Sequence, residues 1–286
     1  MAECRVCFRH CRISEGEMGF CGARTARNGS VVPANYGKIT SLALDPIEKK
    51  PLRRFFPGSL ILSAGSYGCN LRCPFCQNYE ISWSDAAFKM ADTAEYISPE
   101  ELAHTAAGVR NRANIGVAFT YNEPLTGYEY VRDTAKLVHD LGMKNVLVTN
   151  GTAEISVLEE LSPYIDAMNI DLKGFTDSYY TNVLKGSLGM VKRFIEAAAK
   201  VCHIELTTLI VPGENDTEEE MDALSGWISE LKGIGEQESG SGIPLHISRF
   251  FPRFHMRDRE ATDREVVYRL ADAARRHLKY VYEGNV

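Results

Sequence analysis

Residues 68–77 read Gly-Cys-Asn-Leu-Arg-Cys-Pro-Phe-Cys-Gln, which puts Cys69, Cys73 and Cys76 on one short loop. The apolar run at 59–64 reads as a strand that leads straight into it. Three thiolates at this spacing suit an iron–sulfur cube held at three of its four corners, with an open coordination position at the fourth iron. A structural zinc knuckle is the rival reading. It needs a fourth ligand and usually carries CxxC pairs, and none is evident near these three cysteines.

Beyond the loop, strand-like runs at 115–120, 145–149, 167–172, 204–211 and 244–249 alternate with amphipathic stretches. Ser98-Pro99-Glu100-Glu101 offers an N-cap, a proline at the first helical position and a capping-box glutamate, with Ile97 and Leu102 spaced as a hydrophobic staple. Gly142 is expected to end a helix that begins near Thr126, and Thr217 with Glu220 and Thr262 with Glu265 to open the last two helices. The alternation predicts an α/β fold with parallel strands and right-handed crossovers. Periodicity leaves two architectures open, an incomplete (β/α) barrel or an open doubly wound sheet; both place sites at the carboxyl ends of strands. The expected organisation is a Cys-rich metal-binding module at 1–27, a linker at 28–58 and the main domain at 59–286, with a surface loop at 233–242.

A chain of 286 residues can bury a full core, and a formal net charge of -6 argues against broad nucleic-acid binding. No apolar run is long enough to span a bilayer, and the first residues lack the order of a secretory signal, so a cytoplasmic location is expected. In that setting eight cysteines point to metal ligands more than disulfides. Cys4, Cys7, Cys11 and Cys21 can close a zinc site or fill all corners of a second iron–sulfur cube. Zinc would make the module a structural clip; a cluster would make it an electron relay or substrate anchor. The lack of a nearby open site tilts the reading towards a structural metal. Cys202, alone in an apolar stretch, reads as a small buried hydrophobe.

The CxxxCxxC run with an aromatic before its last cysteine resembles the radical S-adenosylmethionine (SAM) enzymes. In detail it is similar to the activating enzymes of glycyl-radical enzymes such as pyruvate formate-lyase. Asp45-Pro-Ile-Glu-Lys-Lys-Pro-Leu52, Thr120-Tyr-Asn-Glu-Pro124 and Leu245-His-Ile-Ser-Arg-Phe-Phe-Pro252 resemble the branch found in the AmmeMemoRadiSam system. Members of that branch continue past a segment like Tyr280–Val286 into a tail with a CxxC pair.

The resemblance implies a partial (β/α)6 TIM-type barrel of the radical SAM superfamily with a 4Fe–4S cluster on Cys69, Cys73 and Cys76. It implies reductive cleavage of SAM to a 5′-deoxyadenosyl radical that takes hydrogen from a substrate. Phe75 and Gln77 would lie near the adenine and Glu123 near the methionine amine, although the family's two glycines before that glutamate are Tyr121 and Asn122 here. Asn150, in Thr149-Asn150-Gly151, would bind SAM polar groups, or simply form a turn. Asp171 and Lys173 would contact the ribose and methionine carboxylate, and His246 is held as a further SAM contact. A flavodoxin or ferredoxin would supply the electron. The mixed runs at 49–56 and 249–257 either pack as aromatic faces or flank the barrel mouth as a docking surface. The substrate implied first is the glycyl loop of a partner enzyme; alternatives are another macromolecule or metabolite of the AmmeMemoRadiSam pathway. A non-catalytic zinc scaffold is the rival from outside catalysis.

Overall fold

The computed structural model of the chain describes residues 1–233 and 239–286, with only the backbone of 90–92. Half of the loop expected at 233–242 lies outside the described residues. An eight-stranded sheet forms the centre. Its strands lie in chain order: β1 (Ser41–Pro46), β2 (Leu60–Gly65), β3 (Asn114–Phe119), β4 (Lys144–Thr149), β5 (Ala167–Asp171), β6 (His203–Ile210), β7 (Leu245–Arg249) and β8 (Val281–Gly284). β1 pairs antiparallel with β2, and all later neighbours are parallel.

The crossovers carry α1 (Pro99–Gly108), α2 (Tyr128–Asp140), α3 (Ile155–Leu161), α4 (Leu188–Ala198), α5 (Glu218–Ser229) and α6 (Arg264–Ala274). A strand order that never reverses, joined by right-handed crossovers, puts every helix on the same face. Successive helices accordingly pack side by side, α1 on α2, α2 on α3, α3 on α4 and α5 on α6. A doubly wound sheet requires a reversal of order. The architecture is therefore the incomplete barrel, open between β1 and β8.

Two strands were not expected. β1 lies inside the stretch 28–58 read as a linker, which also holds Ser30–Pro33 and Lys38–Ile39. Its partly exposed alternation at a sheet edge is a weak apolar signal. β8 is a four-residue strand that follows a tight helix end at Leu278.

Helix starts follow local chemistry. At α1, Ser98 Oγ accepts from the Glu101 N–H at 3.2 Å and the Glu101 carboxylate accepts from the Ser98 N–H at 2.7 Å. Thr217 caps α5, but Glu220 turns away to accept from the Phe175 N–H. The expected cap at Thr262 is corrected: Asp263 caps α6. Thr262 is buried, and its hydroxyl donates to the Ile210 carbonyl at 2.6 Å and accepts from the Phe250 N–H. It ties the ends of β6 and β7 together instead.

Alternation along the strands divides the core. Leu62, Val117, Leu147, Met168, Leu206 and Leu245 join the helices. On the concave face Ile61, Ala118, Val146 and Ala167 pack against Ile47 and Leu52, with Phe55 beside them. Residues 47–55 thus fold back into the barrel. Their anchor is Glu205, fully buried on β6. Its carboxylate accepts from the Arg53 and Arg54 N–H groups at 3.0 and 2.7 Å and lies 3.1 and 2.7 Å from the Nε2 atoms of His203 and His246. The Asn169 amide adds a bond to the Pro51 carbonyl at 2.8 Å.

Candidate functional site

The cysteine loop leaves the carboxyl end of β2, where a parallel α/β fold places its chemistry. Gly68 gives it room: its φ is +93°, and a Cβ at this position would lie only 2.6 Å from Ala23 Cβ. The Asn122 amide donates to the carbonyls of Tyr67 and Gly68, both at 3.1 Å, and the Arg72 guanidinium donates to those of Cys69 and Leu71 at 2.8 and 2.7 Å. These bonds fix the loop without using the thiols. Burial pushes the Cys69 thiol well up and that of Cys73 to about 12. Such thiols need a bound cation to be held as thiolates, as metal ligands are.

Glu123 follows β3 and is 3% exposed. Its carboxylate accepts from the Thr149 hydroxyl at 2.7 Å, the Asn150 N–H at 2.7 Å and the Leu125 N–H at 3.1 Å. All three donors are neutral. Burial outweighs them and lifts the carboxyl to about 7. A buried carboxylate of this kind fits an incoming ammonium.

Asp171 ends β5, and its Oδ2 lies 2.8 Å from Lys173 Nζ. Burial disfavours the Lys173 ammonium, but the charges of Asp171 and Cys73 more than offset this and push it above the ordinary lysine range. The Lys173 N–H also donates to the Tyr180 hydroxyl at 3.0 Å. Asn150 donates to Asn70 Oδ1 at 3.0 Å and to Cys69 Sγ at 3.7 Å, so its side chain supports the cysteine loop. Phe75 is buried, edge-on to Phe250 at 6.4 Å, while Gln77 is exposed at the loop's end.

The structure therefore gathers Cys69, Cys73, Cys76, Glu123, Asn150, Asp171 and Lys173 at the carboxyl ends of the strands. His246 does not join them; it is bound to Glu205. Sequence reasoning missed Asn70, Thr149 and Arg72. Asn70 and Arg72 stand inside the cysteine run itself, and Thr149 directly precedes Asn150.

The two mixed basic and aromatic runs separate. Lys50 is buried on Asp45 at 2.8 Å, and Phe55 stacks on His203, the first residue of β6, at 5.6 Å. That run closes the amino-terminal end of the barrel and does not flank its mouth. The other run reaches the cysteine loop: the His255 N–H donates to the Pro74 carbonyl at 2.9 Å, and Phe254 stacks on Tyr79 at 4.3 Å.

The N-terminal cysteines sit beside the same loop. The Cys69 N–H donates to the Cys21 carbonyl at 3.1 Å, and Arg9 Nε donates to the Asn70 carbonyl at 2.9 Å. Arg24 docks the module through a bidentate pair with Glu129 at 2.9 and 2.7 Å. Among the described residues, no helix is long and apolar enough to cross a membrane.

The profile of the Radical SAM superfamily matches residues 64–224. An uncharacterized protein of Methanocaldococcus jannaschii is 40% identical over 99% of this chain and 81% of its own length. The pyruvate formate-lyase-activating enzyme of Clostridium pasteurianum is 26% identical over 69% of this chain and 83% of its own. Among solved structures, a domain of a pyruvate-formate lyase-activating enzyme from Bacteroides vulgatus superposes with a TM-score of 0.51 at 16% identity, covering 59% of this chain and 99% of that one.

Proposed function

The chain belongs to the radical SAM superfamily, and from that premise we propose that it is an activating-type enzyme that uses SAM to place a radical on a glycine of a partner polypeptide. The observation that carries the SAM-cleaving part is the convergence of three loop thiols with Glu123, Asp171 and Lys173 at the mouth. When bound, the cluster and SAM supply the chemistry: one-electron cleavage of the C5′–S bond to methionine and a 5′-deoxyadenosyl radical, which takes a hydrogen atom from the substrate.

The chain's own residues do the positioning. Cys69, Cys73 and Cys76 would hold the cluster. Glu123 would receive the methionine ammonium, and Asp171 with Lys173 would meet the ribose and carboxylate. Phe75 and the backbone at Gln77 bound the adenine, and Asn150 keeps the cysteine loop in register. The buried walls exclude water from a reactive radical. The similarity to the Clostridium pasteurianum enzyme over 69% of this chain supports the glycyl-radical class of substrate.

A second reading rests on a specific contact set. The Tyr121 hydroxyl donates to Asp45 at 2.6 Å, beside Lys50, while the Asn78 amide donates to the Tyr121 carbonyl at 2.8 Å. Tyr121 thus links the cysteine-loop end to the Asp45–Lys50 pair inside the barrel, and this polar interior supports a smaller substrate, in a pathway like that of the AmmeMemoRadiSam system. The test is anaerobic. Reconstituted protein with SAM and dithionite should release 5′-deoxyadenosine. With pyruvate formate-lyase as probe, a glycine-centred radical signal by EPR supports the activase reading. Release of 5′-deoxyadenosine without that signal favours the second reading, and no release sinks both.

A further inference from the structure

We propose that the Tyr179 hydroxyl is the hydrogen-bond donor for a sulfur at the Cys73 corner of the main cluster, and that this bond makes the cluster easier to reduce. The proposal rests on the radical SAM reading of the main site and adds a residue that sets its potential.

Tyr179 lies in the crossover from β5 to α4 and is 3% exposed, and its hydroxyl is buried with no hydrogen-bond partner among the described residues. Its ring lies on Gly174: a Cβ there would come within 2.6 Å of Cδ1 and 3.0 Å of Cε1. Gly174 directly follows Lys173, so the tyrosine is held at the carboxyl ends of the strands, beside the residues proposed to meet SAM. Buried polar groups are paired as a rule, because an unpaired one is costly. An orphaned hydroxyl at this place points to an acceptor bound from outside the chain.

The backbone that carries it is tied to the cysteine loop. Tyr179–Leu184 form a π-helix, a rare form that is frequent at functional sites. The Arg72 N–H donates to the Leu184 carbonyl at 2.9 Å, and the Arg9 guanidinium donates to the Lys185 carbonyl. At Gly186 a Cβ would lie 2.7 Å from Leu71 Cδ2, so the two segments are in close contact. The neighbouring Tyr180 is fully buried, and its hydroxyl accepts from the Lys173 N–H at 3.0 Å. One tyrosine of the pair thus supports Lys173, and the other brings an unpaired O–H.

The charges around Tyr179 name the acceptor. Burial pushes the phenol up, the charge of Cys73 adds to this, Lys173 opposes it and Glu214 adds to it again. The hydroxyl therefore stays protonated and can donate. Of the three charged groups, Lys173 has no lone pair to accept with. Glu214 accepts from Arg259 at 2.7 Å and not from Tyr179. The Cys73 corner remains, a buried acceptor that is anionic once metal is bound. A hydrogen bond to a cluster sulfur favours the reduced state, which carries one more negative charge, and so raises the potential.

The test uses the full chain loaded with iron and sulfide without oxygen. The EPR signal that responds to added SAM identifies the main cluster, and that signal is followed through a redox titration run without SAM. Tyr179→Phe keeps the ring on Gly174 and removes only the oxygen, so iron content and Tm should match the wild type. Its cluster should be roughly tenfold harder to reduce, a midpoint about 59 mV lower for a one-electron couple, with SAM affinity little changed. Gly174→Ala keeps the hydroxyl but displaces the ring. It should lower the midpoint in the same direction, and it decides the matter if Tyr179→Phe takes up no iron. An unchanged midpoint overturns the proposal: with SAM affinity also unchanged the tyrosine only packs, and with SAM binding weakened it is a SAM contact. Failure of the main reading looks different, as wild-type protein with no SAM-responsive signal and no SAM cleavage.

Discussion

Replacing Glu205 by Gln tests why residues 47–55 sit inside the barrel. Burial alone would raise this carboxyl, but His203, His246 and the N–H groups of Arg53 and Arg54 outweigh it and hold it at about 2 against an ordinary 4.5. That depression is worth about 3 kcal/mol of stability. Because the folded carboxyl titrates below the unfolded one, the stabilisation is complete above pH 4.5 and lost as pH falls through 2. At pH 3 about three-fifths of it is gone. In Glu205→Gln the amide nitrogen faces donors that the carboxylate satisfied, so the variant should lose about 2–4 kcal/mol at pH 7. For a chain of this size that lowers Tm by roughly 5–12 °C. Urea unfolding at pH 7 and pH 3 measures it. The wild type should weaken between the two and the variant should lie much closer to level. A variant within about 1 kcal/mol of wild type at pH 7 refutes the anchoring role. For His246→Ala, urea unfolding should show lost stability and anaerobic calorimetry a SAM affinity little changed, whereas a SAM contact would give the reverse.

Cys73→Ala should abolish SAM cleavage and lower the iron content at the main site, checked by iron analysis and product chromatography; retained turnover contradicts the assignment. Glu123 titrates near 7 because it is buried, so it is mostly protonated at pH 6 and mostly ionised at pH 8. SAM binding by anaerobic calorimetry should therefore tighten roughly tenfold from pH 6 to pH 8, and Glu123→Gln should abolish that slope and weaken binding on the order of a hundredfold. Gly68→Ala adds a Cβ 2.6 Å from Ala23 Cβ and 2.8 Å from the Cys21 carbonyl, at φ +93°. It should cost roughly 1–3 kcal/mol of stability and lower the iron held by the Cys69–Cys73–Cys76 loop; normal iron and Tm would mean that the N-terminal module is not seated on the loop.

The cysteine-loop end of the molecule was legible because its signals are local. The CxxxCxxC spacing needs no partner from elsewhere to suggest a cluster, and Asp171 and Lys173 are two residues apart. Glu123 and Asn150 were legible by position, as polar residues just after apolar strands. The amino-terminal end was not legible, because its signals are long-range. His203 stands two residues from Glu205 on one strand face, but nothing beside Glu205 says that its other partners come from residues 53, 54 and 246, so His246 looked available for SAM. Lys50, Arg53 and Phe55 likewise left a packed face and a docking surface both open until Asp45, Glu205 and His203 claim them. The strand order resolved what periodicity left open, since only a sheet without reversal keeps one face free of helices. That free face is filled at one end by residues 47–55 and left to the cysteine loop at the other. The division explains why one mixed run belongs to the scaffold while the run at 249–257 reaches the site. A docking partner for electron transfer should therefore be sought beside Tyr79, Phe254 and Arg72, where the loop and the N-terminal module meet, and not at the closed end.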